Sequence, residues 1–176
     1  MKAAIRRVVT GHTKDRKSTV LIDGILPSTP SAHEHFIWTT GSTPADNSGS
    51  SDAAQAPHRL EPEANGSMFR VVEIPPKSIL AGLSAEQKES YFRDVFAGLD
   101  ASHCRVDTSR SPGMHKTSTI DYVMVLRGEI TLLLDEGEAT LNAGDVVVQR
   151  GTNHDWVVRG SEPAVIAVVM LSAQPV

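Results

Sequence analysis

The C-terminal third of the chain is a series of short apolar runs separated by turn signals. The runs, between residues 119 and 173, are TIDYVMVLRG, EITLLLDEG, EATLNAG, DVVVQRG, HDWVVRG and AVIAVVMLSA. The turn signals are Arg127-Gly128, Glu136-Gly137, Ala143-Gly144, Arg150-Gly151 and residues 160–163. Turns that recur every 8–12 residues are typical of antiparallel sandwiches and barrels and leave no room for crossover helices. The spacing predicts an all-β barrel.

The N-terminal part carries further strand patterns and one helix pattern. β-branched residues at 6–11 and 18–25 flank a polar turn and predict an antiparallel hairpin, while 36–40 and 68–74 predict two more strands. Ser84 and Gln87 have the spacing of a capping box. The large residues that recur at helical spacing after them are Tyr91, Phe92, Val95 and Phe96. We expect a helix over 84–99 whose aromatic face docks on the sheet.

A length of 176 residues corresponds to one structural domain. We expect residues 101–176 to form the core of the barrel and residues 1–100 to pack on it with strands and the helix. Residues 41–66 are rich in Gly, Ser, Pro, Ala, Asn and Asp and have almost no large apolar side chains. This segment is therefore predicted to be a mobile loop outside the core.

Charge and cysteine content exclude several classes of protein. The 17 basic and 21 acidic residues give a net charge of −4, and no basic run could follow a line of phosphates, so no nucleic-acid partner is expected. One cysteine, Cys104, allows neither an internal disulfide nor a cluster of thiolates, and we expect it to be a buried, inert thiol. No run is apolar enough for a signal sequence or a membrane span, which predicts a cytoplasmic protein without membrane contact.

Candidate site residues share one face of an extended segment. Alternation from residue 115 onward places His115, Thr117, Thr119 and Asp121 on the same face as core valines. A barrel interior normally admits such polar groups when they are paired, hydrogen-bonded or bound to metal. His154 begins a later run that has Trp156 on the same face. If the two strands are neighbours, His115, Asp121 and His154 could converge.

These residues resemble the two motifs of the cupin superfamily, in particular its small single-barrel members. The first motif has a glycine, His-x-His, an acid and a closing glycine, and the matching residues are Gly113, His115, Thr117 for the second histidine, Asp121 for the glutamate, and Gly128. The second motif is matched by Gly144, Asp145, Gly151 and His154, with Gln149 in place of the usual turn proline. The resemblance implies a jelly-roll barrel and a homodimer that exchanges N-terminal strands.

The resemblance also implies a divalent transition metal such as Zn, Fe, Mn or Ni, which cupins of this kind hold with three histidines and one glutamate. Here the implied ligands are His115, His154 and Asp121, which form a two-histidine, one-carboxylate set. Thr117 is a poor ligand and either leaves an open position or holds a bound water. The alternative is a pocket without metal in which His115 hydrogen-bonds Asp121.

Other residues are candidates for substrate contact. Besides Thr117 and Thr119 they are Arg150, which could bind a carboxylate from its turn, and the aromatic residues Trp38 and Trp156. Asp155 alternates away from His154 and is predicted to be a surface charge.

Two functions compete at this point. The first is a small metalloenzyme in which His115, His154 and Asp121 carry non-redox chemistry on a small organic acid or polyketide-like substrate, as a decarboxylase, dehydratase or isomerase. An iron-dependent dioxygenase is a variant of it. The second is a cupin that binds a small molecule without converting it.

Overall fold

The computed structural model describes residues 5–26, 33–55 and 57–175, and strands dominate these residues. The strands are β1 (Arg6–His12), β2 (Ser18–Ile25), β3 (Glu34–Thr40), β4 (Ser67–Ile74), β5 (Thr119–Arg127), β6 (Glu129–Leu134), β7 (Glu138–Asn142), β8 (Val146–Gln149), β9 (His154–Val157) and β10 (Ala164–Ser172). One α-helix, α1 (Ala85–Gly98), occurs in this part of the chain, between β4 and β5. The predicted all-β class is confirmed, and each predicted strand is present.

Two antiparallel sheets form the barrel. The larger has the order β3-β4-β10-β5-β8 and the smaller the order β7-β6-β9, while β1 and β2 form a separate hairpin. Isolated bridges at Pro76–Val158 and His115–His154 join the two sheets. The chain crosses from one sheet to the other after β5, after β7, after β8 and after β9. This alternation gives the predicted jelly-roll barrel.

β10 is the central strand of the larger sheet because it pairs with both β4 and β5. Its sequence, AVIAVVMLS, is apolar along almost its whole length instead of at alternate positions. Ile166, Val168 and Met170 belong to the main core cluster inside the barrel. Val165 belongs to a second cluster with Leu26, the residue that follows β2. β10 is therefore buried on both faces, which accounts for its continuous apolar pattern.

Asp52 and Leu60 are two of the residues through which the segment 41–66 contacts the rest of the chain. Asp52 accepts a hydrogen bond of 2.7 Å from the buried Arg7 of β1. Leu60 is 4% exposed and packs in a cluster with Phe96 and Cys104. The expectation that this segment lies outside the core is therefore wrong at Leu60, because this large apolar side chain is buried in a cluster. Its mobility stays a prediction.

α1 begins at the predicted capping box. The Oγ atom of Ser84 accepts from the backbone N–H of Gln87 at 3.2 Å, and Oε1 of Gln87 accepts from the N–H of Ser84 at 2.8 Å. Phe96 is buried, whereas Tyr91 and Val95 are 40% and 39% exposed. Phe96 packs on residues of loops and turns. The apolar face of the helix is thus narrower than predicted, and it docks on these loops instead of on the sheet.

Gly128 and Gly137 are turn residues with similar backbone conformations and different surroundings. Together they test how closely the turn at Gly128 approaches β10. Their φ angles are +80° and +79°. A Cβ atom at Gly128 would lie 3.0 Å from Cα of Ala164, whereas at Gly137 it would meet nothing within 4 Å. We expect Gly137→Ala to lower the free energy of unfolding by about 1–2 kcal/mol through backbone strain alone. Gly128→Ala should lower it further, as measured by urea denaturation, and equal losses would contradict the close approach of this turn to β10.

Candidate functional site

Two histidines from different sheets meet at an antiparallel bridge. His154 is the first residue of β9 in the smaller sheet, and His115 lies just before β5 of the larger one. The backbone N–H of each residue donates to the carbonyl of the other at 2.9 Å. Their ring centroids are 4.3 Å apart. The structure thus brings together the two histidines that the sequence places on separate strands.

Each imidazole has one nitrogen next to a backbone carbonyl. Nδ1 of His115 lies 3.0 Å from the oxygen of Gly113, and Nδ1 of His154 lies 2.9 Å from the oxygen of Thr152. A carbonyl oxygen only accepts hydrogen bonds, so these contacts favour the tautomer in which Nδ1 carries the proton, although the amide Nε2 of Gln149 also lies 3.2 Å from Nδ1 of His154. Nε2 of each neutral ring then keeps its lone pair. Histidines that bind metal commonly have this arrangement.

Burial keeps both rings uncharged. Burial, the neighbouring His154 and the charge of Arg70 hold the pKa of His115 well below its ordinary value. Burial lowers the pKa of His154 to about 4, and Arg70 acts in the same direction. Near neutral pH the pair therefore offers two neutral nitrogen donors.

Aromatic rings flank the histidine pair. The Phe96 ring of α1 lies 4.9 Å from the His115 ring, and the Trp156 ring lies 5.8 Å from that of His154 in an edge-on arrangement. Trp156 was predicted to contact substrate, and it is half-buried against the main core cluster. These apolar neighbours exclude water from one side of each imidazole.

The polar residues predicted on the same face as His115 are buried as expected. Thr117, Thr119 and Asp121 are 4%, 2% and 4% exposed, and the two threonine hydroxyls are 2.7 Å apart. Oδ1 of Asp121 has no hydrogen-bond partner. Burial raises the pKa of Asp121, although a hydrogen bond from Thr119 and the charge of Arg70 oppose this shift. The carboxyl group therefore holds its proton to a higher pH than usual.

Asp121, His115 and His154 do not form a group whose three donor atoms all lie within 4.8 Å of one another. Among the described residues, the group of three His, Cys, Asp or Glu donor atoms within 4.8 Å of one another consists of Glu61, His103 and Cys104. Asp121 lies within β5, whereas His115 lies before the start of this strand. The structure thus brings the two histidines together, and the set of three ligands that includes Asp121 stays a prediction.

Arg70 is the residue of this site that the sequence analysis missed. It is 7% exposed and belongs to β4, on the same alternating face as the core residues Met68 and Val72. Its Nε and Nη1 atoms have no hydrogen-bond partner, and its ion pair with Glu34 spans 3.6 Å. The available signal was the cation itself, which stands on the inward face of the strand pattern MFRVVEI.

The other predicted residues have different surroundings. Trp38 of β3 is half-buried and lines a small cavity with Phe36, while Arg150 is exposed in the turn after β8. The prediction that Asp155 is a surface charge is wrong, because it is 9% exposed and accepts a hydrogen bond of 2.6 Å from Ser111. Burial raises the pKa of Asp155.

A cavity of about 640 Å³ lies between α1, the turn Lys77–Leu80 and β9. Phe92, Asp155 and Trp156 are among the residues of its wall. Trp156 also contacts His154, and α1 also places Phe96 beside His115. The cavity and the histidine pair therefore share two structural elements, and the volume is in the range of small-molecule sites.

A family model described as "Cupin domain" matches residues 102–170, which contain β5 to β9, most of β10 and both histidines. "Phomopsin biosynthesis cluster protein C'" of Diaporthe leptostromiformis is 51% identical over 65 residues, which are 36% of this chain and 34% of that relative. "Cupin-domain-containing oxidoreductase virC" of Hypocrea virens is 26% identical over 181 residues, which are 97% of this chain and 77% of that relative. The match thus spans about a third of the length of the first relative.

Solved structures with a similar barrel include a Cupin 2 conserved barrel domain protein from Salinispora arenicola. It is 18% identical, with a TM-score of 0.38, and the match covers 61% of this chain and 64% of that one. Within the described residues, the structure contains no helix that is long and apolar enough to cross a membrane.

The low pKa of His154 predicts that the metal-free fold is sensitive to acid. In the unfolded chain the imidazole takes up a proton at its ordinary pKa of about 6.5, whereas the folded ring resists protonation down to about 4. The unfolded state binds more protons between these values, so stability falls as the pH decreases through this window. Between these two pH values, we expect the free energy of unfolding of the wild type to fall by on the order of 3 kcal/mol more than that of His154→Gln.

Urea denaturation of the metal-free protein at a series of pH values between about 7 and 4 measures this loss. His12→Gln, in the exposed end of β1, serves as the control for removal of an imidazole and should retain the wild-type pH dependence. Parallel pH profiles for wild type and His154→Gln would contradict the assignment of a buried neutral ring.

Proposed function

Because residues 102–170 form a cupin domain, we propose that the chain is a metal-dependent enzyme that acts on a small organic acid. The observation that carries this proposal is the His115–His154 pair. Nδ1 of each ring faces a carbonyl, which leaves the lone pair of Nε2 free to bind an ion. The charge of Arg70 lowers the pKa of both rings. Neutral imidazoles suit transition metals, and a guanidinium suits a carboxylate. The same part of the barrel thus supports binding of both an ion and an anionic substrate.

His115 and His154 would hold a divalent transition metal through Nε2, and Zn, Fe, Mn and Ni all accept imidazole nitrogen. Thr117, at the position where the resemblance implies a further histidine, offers a neutral hydroxyl, so that position is left to water and substrate. When bound, such an ion polarises a substrate oxygen as a Lewis acid.

Arg70 would bind the carboxylate of the substrate. A buried cation with unused N–H donors is unfavourable unless an acceptor reaches them. The pair with Glu34, at 3.6 Å, leaves Nε and Nη1 without a hydrogen bond. An anionic substrate would supply the missing acceptor and would be oriented by the planar guanidinium.

Asp121 would hold or move a proton at Oδ1. This oxygen is buried and has no hydrogen-bond partner, while Thr119 bonds the carboxyl group and orients it. Its raised pKa brings protonated and ionised forms closer to the pH of the cell, as general acid–base catalysis requires. In this role Asp121 acts on the substrate and needs no contact with the ion.

For the reaction we propose decarboxylation, dehydration or isomerisation without redox change. The second candidate is an oxidoreductase, because virC, srdD and fogC are each named "Cupin-domain-containing oxidoreductase" and are 25–27% identical over 82–97% of this chain. Turnover of an acid by the zinc-loaded protein would support the first reaction class. Oxygen uptake by the iron-loaded protein in the presence of the same acid would support the second.

The small-molecule substrate, the homodimer and the cytoplasmic location belong to this proposal. The hairpin of β1 and β2 pairs with no other strand in the described residues, which supports a role for it in contacts between subunits.

Metal content tests the histidine pair. We expect the double variant His115→Ala/His154→Ala, purified without chelators, to contain about one transition-metal ion fewer per chain than the wild type, because it lacks both nitrogen donors. Elemental analysis by mass spectrometry measures the difference. His12→Ala is the control and should keep the wild-type content. A double variant with the same content as the wild type would remove the metalloenzyme proposal.

Carboxylate binding tests Arg70. We expect Arg70→Met to bind malonate and benzoate at least about tenfold more weakly than the wild type in calorimetric titrations, because charged hydrogen bonds contribute about 1.5–3 kcal/mol. Arg70→Lys keeps the charge but not the planar donor pair, and its affinity should fall between the two. Arg150→Met, in an exposed turn, is the control. Equal affinities of wild type and Arg70→Met would show that the anion binds elsewhere.

A further inference from the structure

Three donor groups of different chemistry meet outside the barrel, where the segment 41–66 contacts the turn Ser102–Cys104. Oε2 of Glu61 lies 2.8 Å from Nε2 of His103, and the same nitrogen lies 3.5 Å from Sγ of Cys104. One donor atom from each residue lies within 4.8 Å of the other two. None of the three belongs to the histidine pair in the barrel.

We propose that Glu61, His103 and Cys104 form a second metal site, which takes a borderline divalent transition metal such as Zn²⁺ or Co²⁺. Thiolate, imidazole and carboxylate together select such ions over Mg²⁺ or Ca²⁺, which prefer oxygen ligands alone. Zinc–sulfur and zinc–nitrogen distances of ~2.3 and ~2.0 Å place the two donors of a tetrahedral site ~3.5 Å apart. The observed separation of Cys104 and His103 already has this value.

The burial of the three residues fits an ion held at the edge of the fold. Cys104 is 1% exposed, the Glu61 side chain is 21% exposed and the His103 side chain is 67% exposed. The thiol and the carboxylate would hold the ion from the protein side, and a water molecule would complete the coordination from solvent. The Cys104 thiol gives up its proton to solvent when the ion binds, and the positive ion replaces that proton beside the negative Glu61.

The site would attach the segment 41–66 to the start of the cupin domain. Oε1 of Glu61 accepts the backbone N–H of Ser118 at 2.6 Å, and the carbonyl of Cys104 accepts the N–H of Lys116 at 2.8 Å. These two hydrogen bonds lie on either side of Thr117. A bound ion would therefore fix both of them at once, beside the histidine pair but without sharing a ligand with it.

Titration of the metal-free full chain with Co²⁺ tests the proposal. Because Cys104 is the single cysteine of the chain, a thiolate-to-cobalt charge-transfer absorption reports binding at this site and not at the histidine pair. We expect the band in the wild type and in His115→Ala/His154→Ala. His103→Ala, whose side chain is exposed, should fold normally and need at least about tenfold more Co²⁺. Addition of Zn²⁺ should abolish the band.

Cys104→Ser should lack the band, and Glu61→Gln should weaken Co²⁺ binding while it keeps the hydrogen-bonding shape of the side chain. His58→Ala, in the same segment but outside the cluster, is the matched control and should bind like the wild type. Absence of the band in folded wild type at millimolar Co²⁺ would overturn the proposal, as would an unchanged titration of His103→Ala. Either result would leave Glu61 and His103 as an ion pair alone.

Discussion

The antiparallel bridge between His115 and His154 connects the two sheets of the barrel at the place where the candidate site lies. Its two backbone hydrogen bonds of 2.9 Å make the two residues directly opposite neighbours. Side chains of directly opposite residues in antiparallel chains point to the same side, so the approach of the two rings follows from the backbone. The pair is therefore in place before any ligand binds, which is a condition for a site with little reorganisation.

Burial inside the barrel, together with the charge of Arg70, also determines the protonation state of the two rings. A guanidinium cannot release its proton in a protein, so Arg70 is a permanent cation inside the barrel. The histidines can respond to burial and to this cation, and they do so by remaining neutral. The carboxyl group of Asp121 responds to burial in the opposite way, by keeping its proton longer. Burial thus disfavours charged forms of either sign, and the charge of Arg70 is what favours an anion here, which supports the proposed acid substrate.

Alternation along β5 could be predicted from the sequence because one face of this strand is buried and the other is not. Asp121, Val123 and Val125 are buried, and Tyr122 and Met124 between them are about half exposed. Alternation defines the two sides of a strand but not what covers its outer side. Asp155 was predicted to face away from His154, yet the outer side of β9 is covered by the segment with Ser111. Leu60 is likewise buried by a residue far from it in the sequence, Phe96 of α1.

The segment with Ser111 that covers Asp155 is connected to the candidate site through Gly113. A Cβ atom at this glycine would lie 2.6 Å from Oδ1 of Asp155, so a side chain here would force the carboxylate to move. The carbonyl of Gly113 is also the acceptor for Nδ1 of His115. Ser111, two residues earlier, donates to the other oxygen of Asp155 and holds the segment in place. A buried carboxylate on the outer face of β9 thus positions the backbone oxygen that determines which nitrogen of His115 remains free inside the barrel.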